Sequence, residues 1–202
     1  MKIKICSLLI AILFLTTIIL FAEEPSPNKD LSFKVKTKTY TDPFSGTVVT
    51  IPEDWNIKEI SKAKPDESKT MGFSTPNDSF GVALTVIDLY EGLGYFEKLL
   101  VKRDNVDYDS ILEKTKKSME EANEVEFITL NNQKYLRAIS KKRFLLKKDN
   151  DENNKKEANY VYIITMKNGC LYRFFSMTDI NYEEYVDFEK IVANTDYKFL
   201  PQ

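Results

Sequence analysis

An antiparallel β-sheet with helices packed on it, an α+β fold, is what this 202-residue sequence predicts, and three features carry that expectation. Two are tight turns. Asn131-Asn132 and Asn168-Gly169 each separate runs rich in β-branched and aromatic residues, and two-residue turns of Asn and Gly suit the positive φ angles a hairpin needs. The third is a pair of segments, one central and one near the C-terminus, whose apolar residues recur at helical spacing. Hairpins, helices, hairpins, a helix and a short closing strand, in that order, give an antiparallel sheet with helices packed on it.

The first element is not part of that sandwich. Met1-Lys2-Ile3-Lys4 precedes an uncharged, largely apolar run from Ile5 to Ala22, and Glu23-Glu24 follow. Cations ahead of a hydrophobic stretch ending in a small residue read as a signal peptide, residues 1–22, cleaved after Ala22. Leu20 stands at −3, where a small residue is preferred. The alternative is an uncleaved N-terminal membrane anchor, because the 18 residues from 5 to 22 sit at the lower edge of what spans a bilayer of ~30 Å. A lipoprotein needs its cysteine at the end of the run, and Cys6 lies at the start. In either reading Lys2 and Lys4 stay in the cytoplasm and the body lies beyond the membrane.

Residues 23–38, with Pro25, Pro27, Asn28 and spaced lysines, read as a tether, and 39–202 as a single domain. Thr47–Ile51 is a β-branched strand stopped by Pro52, with Trp55 just beyond. Met71–Ser74 and Val82–Ile87 flank Pro76-Asn77-Asp78-Ser79, a turn cluster, and make a hairpin. Tyr95, Phe96, Leu99 and Leu100 have helical spacing, as do Ile111, Thr115, Met119 and Ala122. Val125–Leu130 pairs with Gln133–Ile139, and Asn159–Lys167 with Cys170–Thr178. Pairing Lys167 with Cys170 puts Val161, Ile163, Thr165, Tyr172, Phe174 and Ser176 on one face, and Tyr160, Tyr162, Ile164, Met166, Leu171, Arg173, Phe175 and Met177 on the other. Both faces are apolar enough to predict strands in mid-sheet with cover on both sides. Asn181 and Glu184 have the spacing of a capping box for a last helix whose stripe is Tyr182, Tyr185, Phe188, Ile191 and Val192. Tyr197-Lys198-Phe199 reads as the closing strand.

Gly46, the strand Thr47–Ile51, Pro52 and Trp55 resemble the opening of PsbP-like α/β/α sandwich domains. The resemblance continues through the Asn131-Asn132 hairpin, Gly169 and Tyr172, the helix Tyr182–Val192 and the strand Tyr197–Phe199. It implies a non-catalytic fold used for protein–protein binding. No functional motif of the family is matched, so the resemblance implies no binding residues.

Composition narrows the chemistry. Taking 22 residues from 202 leaves 180, enough for one domain with a sizeable core. The two leader lysines leave 27 of 29 cations against 31 acids, a mature charge of −4. That balance argues against nucleic acid, which needs a clustered basic face. The mature chain has one cysteine, Cys170, so it forms no intrachain disulfide. There is no histidine at all, which removes histidine-built zinc sites and every triad with a histidine base.

The remaining candidates have ordinary readings beside the functional ones. Asp149, Asp151 and Asn153 fall at positions 1, 3 and 5 of a calcium loop, but Asn154 and Tyr160 stand where glycine and glutamate are required. A solvated loop is the better account. Asp42, Glu53, Asp54, Asp78 and Asp88 supply carboxylates with no visible pairing, and turns attract Asp for local hydrogen bonds. Cys170 lacks an activating base and reads as a packed side chain. The tyrosine-rich strands read as core, with a ligand pocket as the alternative. Lys141-Lys142-Arg143, Lys147-Lys148 and Lys155-Lys156 form a basic cluster suited to anionic headgroups or an acidic partner, interrupted by Asp149, Asp151, Glu152 and Glu157.

The expectation is therefore an exported, non-catalytic binding or accessory protein of the cell envelope, without cofactor or metal, that meets an envelope protein partner. Its candidate binding loop is Lys147–Ala158, with Lys147, Lys148, Asp149, Asp151, Lys155 and Lys156 as contact residues. Two alternatives stand beside it. A carrier of a small apolar ligand needs an enclosed pocket between helix and sheet, and a histidine-free carboxylate hydrolase needs two carboxylates facing one cleft.

Overall fold

The computed structural model describes residues 30–61, 70–89, 107–147 and 155–198. The expected leader, the apolar group Tyr95, Phe96, Leu99 and Leu100, the loop residues Lys148, Asp149 and Asp151, and Phe199 lie outside the described residues.

Two strands, β1 (Thr37–Thr41) and β2 (Val48–Pro52), pair antiparallel as a small sheet. Their connection is closed by Asp42, whose Oδ2 accepts from the Ser45 amide at 2.9 Å and the Ser45 hydroxyl at 2.6 Å. Gly46 completes the turn with φ 74, a left-handed conformation that glycine takes without strain.

The large sheet contains β3 (Asn56–Ser61), β4 (Thr70–Ser74), β5 (Gly81–Asp88), β6 (Asn123–Leu130), β7 (Gln133–Ser140), β8 (Phe144–Lys147), β9 (Lys155–Lys167) and β10 (Cys170–Thr178). Its order is β3-β4-β5-β10-β9-β7-β6, with β8 pairing β9 off that path. All pairings are antiparallel. The hairpins fall where the sequence placed them. Asn131 and Asn132 have φ 47 and 61, Asn168 and Gly169 have φ 52 and 82, and two consecutive positive φ angles match the twist of the flanking strands. The register Lys167↔Cys170 runs on to Asn159↔Thr178.

Among the described residues, one helix lies on each face. The inner face carries Phe73, Val82, Leu84, Val86, Val161, Ile163, Tyr172 and Phe174, and α2 (Glu183–Ala193) with β2 closes it through Tyr185, Phe188, Ile191, Val192, Val49 and Ile51. On the outer face α1 (Tyr108–Met119) buries Leu112 against Leu136, Ile164 and Met166. The fold is an antiparallel α/β/α sandwich.

Four expectations need correction. Part of the segment read as a tether belongs to the fold: Leu31 is in the core, and Thr37 and Lys38 open β1. Charged, alternating residues hid a strand whose inward partner is a second strand, not water. Asn181 does not cap α2. The N-cap is Tyr182, without a side-chain hydrogen bond, and the Asn181 amide donates to Asp179 Oδ1 at 2.8 Å. Glu184 instead takes Lys156 Nζ at 2.9 Å. The closing strand reduces to one bridge between Val48 and Asp196, and Tyr197 is a core residue packed 4.8 Å from the Tyr172 ring. The outer face of β9 and β10 is only half covered among the described residues: Tyr160, Tyr162, Leu171, Phe175 and Met177 are half-buried and Arg173 is exposed.

Candidate functional site

Of the sequence-derived loop, Lys147 and residues 155–158 are described, and they belong to strands. Lys147 is the last residue of β8 and Lys155 the first of β9, and the two are register partners. The connection between them is thus shorter than Lys147–Ala158, because the strands extend into it and Ala158 is fully buried. Lys156 is occupied: its Nζ binds both Glu184 oxygens, at 2.9 and 3.0 Å, and lies 3.5 Å from the centre of the Tyr182 ring. Arg143 is held by Glu157 at 2.7 Å. These cations tie β8, β9 and α2 together.

The carboxylates are scattered. Asp42 is consumed in its turn. Asp78 sits at the β4–β5 hairpin tip, where hydrogen bonds from Lys58 and Ser74 lower its pKa below the ordinary carboxylate value. Asp88 ends β5, seven residues from Gly81, roughly 23 Å at the usual strand rise. Among the described residues no group of acids and cysteine is arranged to hold a metal ion. Cys170 is buried in the inner core beside the turn.

Between the C-terminal half of α1 and β8 runs an open groove of about 780 Å³. Thr115 and Met119 form one wall, Phe144 the other, and Tyr160, Tyr162, Ile164, Leu171 and Arg173 the floor. The aromatic groups form a continuous ladder: Phe144 to Tyr160 is 4.1 Å between ring centres, Tyr160 to Phe175 5.5 Å and Phe175 to Tyr162 5.1 Å. On the far side of Phe175 lies a smaller hollow of about 280 Å³, lined by Ile60, Gly72, Ala83 and Met177. A Cβ on Gly72 would stand 2.6 Å from Ile60 Cδ1, so the bare backbone is what lets Ile60 lie over β4.

The rim of the groove is positive. Lys141 and Lys142 line it, Arg173 stands in the floor, and the groove's one lining carboxylate is Glu121. Lys141 Nζ donates to the carbonyls of Glu120 and Glu121, at 2.7 and 3.0 Å, where the C-terminal dipole of α1 favours a cation. Lys142 and Arg173 have no hydrogen-bond or ion-pair partner for their side chains among the described residues. Two clues to this site are present in the sequence. Arg173 is the one charged residue of the run Cys170–Thr178, and Lys141-Lys142 follows directly on β7.

No protein-family model and no curated protein sequence matches the chain. Solved structures do. A crystal structure from Bacteroides thetaiotaomicron aligns with a TM-score of 0.49 at 10% identity over 82% of this chain and 49% of that one. The chain thus spans about half the length of that protein. The cyanobacterial PsbP of Synechocystis aligns with a TM-score of 0.44 at 14% identity, over 86% of this chain and 99% of its own. LpqN of Mycobacterium tuberculosis, described as involved in cell envelope biogenesis, aligns with a TM-score of 0.39 at 12% identity, over 82% and 92%.

Proposed function

We propose that this chain is an exported, non-catalytic binding protein of the cell envelope, and that it binds through the outer face of its sheet. The observation that carries the reading is the groove: a half-exposed aromatic floor with unpaired cations in its lining, raised on interior strands of a rigid sheet. Exposed apolar surface of this kind marks an interaction site more often than a resting surface. The N-terminal sequence supports export, since Lys2 and Lys4 precede the run Ile5–Ala22. Binding is favoured over turnover because the acids named above sit in separate turns and strand ends.

Two measurements test this. The mature protein is expected to begin at Glu23 by intact mass, and recovery with Met1 in the membrane fraction would replace cleavage with anchoring. Phe175→Glu, which puts a charge between the two hollows, is expected to strip the protein of the envelope component that co-purifies with the wild type. Identical co-purification by both proteins would remove the outer face as the binding site. Turnover of an ester or glycoside substrate would end the non-catalytic reading.

A further inference from the structure

We infer that the groove takes a free long-chain carboxylate, with its acyl chain along the aromatic floor and its headgroup on Arg173; this rests on the outer face being the binding surface. Volume, charge and backbone accounting each point there. About 780 Å³ lies within the range of small-molecule sites, which are mostly apolar with a few placed polar groups. Arg173 supplies such a group. It is exposed in mid-strand on β10, flanked on its own face by Leu171 and Phe175, and its side chain has no partner among the described residues. A guanidinium in that setting matches one carboxylate bidentately. Lys142 adds a second unpaired cation at the rim, against the single acid Glu121.

The backbone argues for an acyl chain and against a polypeptide. β10 is hydrogen-bonded to β5 and β9, and β9 to β10 and β7 with β8 continuing the pairing. Between those stretches the Tyr160 amide donates to Ser140 Oγ at 3.0 Å. Among the described residues the floor strands are thus paired on both sides, and what the floor presents is chiefly side chains. An extended peptide laid on it would desolvate its amides without return, whereas an alkyl chain carries none.

The test is fluorescence titration of the full chain, as it accumulates in expressing cells, with cis-parinarate and with its methyl ester. Saturable binding of the acid is expected, weakened about tenfold or more by Arg173→Gln, in line with loss of a charged hydrogen bond. The ester should bind more weakly than the acid and equally to both proteins. Arg143→Gln, outside the groove and paired with Glu157, should change nothing, and circular dichroism should be unaltered in both variants. Equal affinity for acid and ester, or no effect of Arg173→Gln, overturns the proposal. So does capture by anionic phospholipid vesicles through Arg173 when free parinarate does not bind. If the wild type ignores parinarate while Phe175→Glu still abolishes envelope co-purification, the carboxylate proposal fails and the binding face stands. Hydrolysis of the ester would instead count against the non-catalytic reading.

Discussion

At the scale of single residues the inner face behaves as the strand alternation requires. Ile163 and Phe174 are register partners and both fully buried. Truncating either to alanine removes apolar contacts and leaves a cavity, so Ile163→Ala and Phe174→Ala should each cost about 2–5 kcal/mol in urea unfolding. A cost under about 1 kcal/mol at both would show that this face is not the core. Asp42 makes a different residue-scale case. It is 2% exposed, and its carboxylate is matched by two Ser45 donors. Asp42→Ala leaves the Ser45 amide and hydroxyl buried with one acceptor fewer, a loss of about 1–3 kcal/mol. A neutral result would mean that water or Thr47, 2.9 Å from Ser45 Oγ, replaces the acceptor. In sequence Asp42 is one of several turn acids. Its burial follows from the approach of the C-terminal segment, where Thr47 and Tyr172 both donate to the Lys198 carbonyl.

At the scale of elements, β8 and the start of β9 change what the basic segment means. A deletion of Lys147–Ala158 would have been harmless to a surface loop. In the observed pairing it removes Ala158, the β8–β9 ladder from Phe144↔Ala158 to Lys147↔Lys155, and the Lys156–Glu184 contact that holds α2. The deletion is expected to lower the unfolding midpoint measurably, and a variant as stable as the wild type would show that β8 contributes nothing. The strand was hard to read because Phe144–Lys147 is four residues long, with Leu145 65% exposed. Alternation over four residues that leaves one leucine in water does not distinguish a strand from a loop. The α2 N-cap departs from its sequence pattern for a related reason. Asn181 and Glu184 have the right spacing, but Asp179 lies within reach of Asn181 and takes its amide first.

At the scale of the whole molecule, the buried phenols make stability depend on alkaline pH. Burial, then the nearby acids Asp42 and Glu59, push Tyr40 up to about 12. Burial likewise raises Tyr172, Tyr185 and Tyr197 above the ordinary 10. Above about pH 10 the unfolded chain therefore gives up phenolic protons that the folded chain keeps. The native state then binds more protons than the unfolded one, so stability is intact below about pH 10 and falls as pH rises toward about 12 and beyond. Urea midpoints measured across that interval should decline, and Tyr40→Phe should flatten part of the slope. A midpoint constant through about pH 12 would mean these rings ionise as freely in the fold as outside it.

Local pattern by itself determined the strand pairs and their inner face. Asn131-Asn132 and Asn168-Gly169 specify two-residue turns, and a period of two then assigns every inward side chain from Val161 to Ser176. It also showed that the far face of β9 and β10 is apolar. How that face is covered was decided by the tertiary structure, because cover depends on where α1 docks relative to strands distant in sequence. α1 reaches Leu136, Ile164 and Met166, while Tyr160 and Tyr162 stay half open to the groove and Phe175 to the smaller hollow. The same holds for charge. Sequence does not say which of Lys156, Arg143, Lys142 and Arg173 is paired. Only the fold sets Glu184 against the first and Glu157 against the second, and leaves the other two side chains without a partner among the described residues, because ion pairs form between elements brought together by packing.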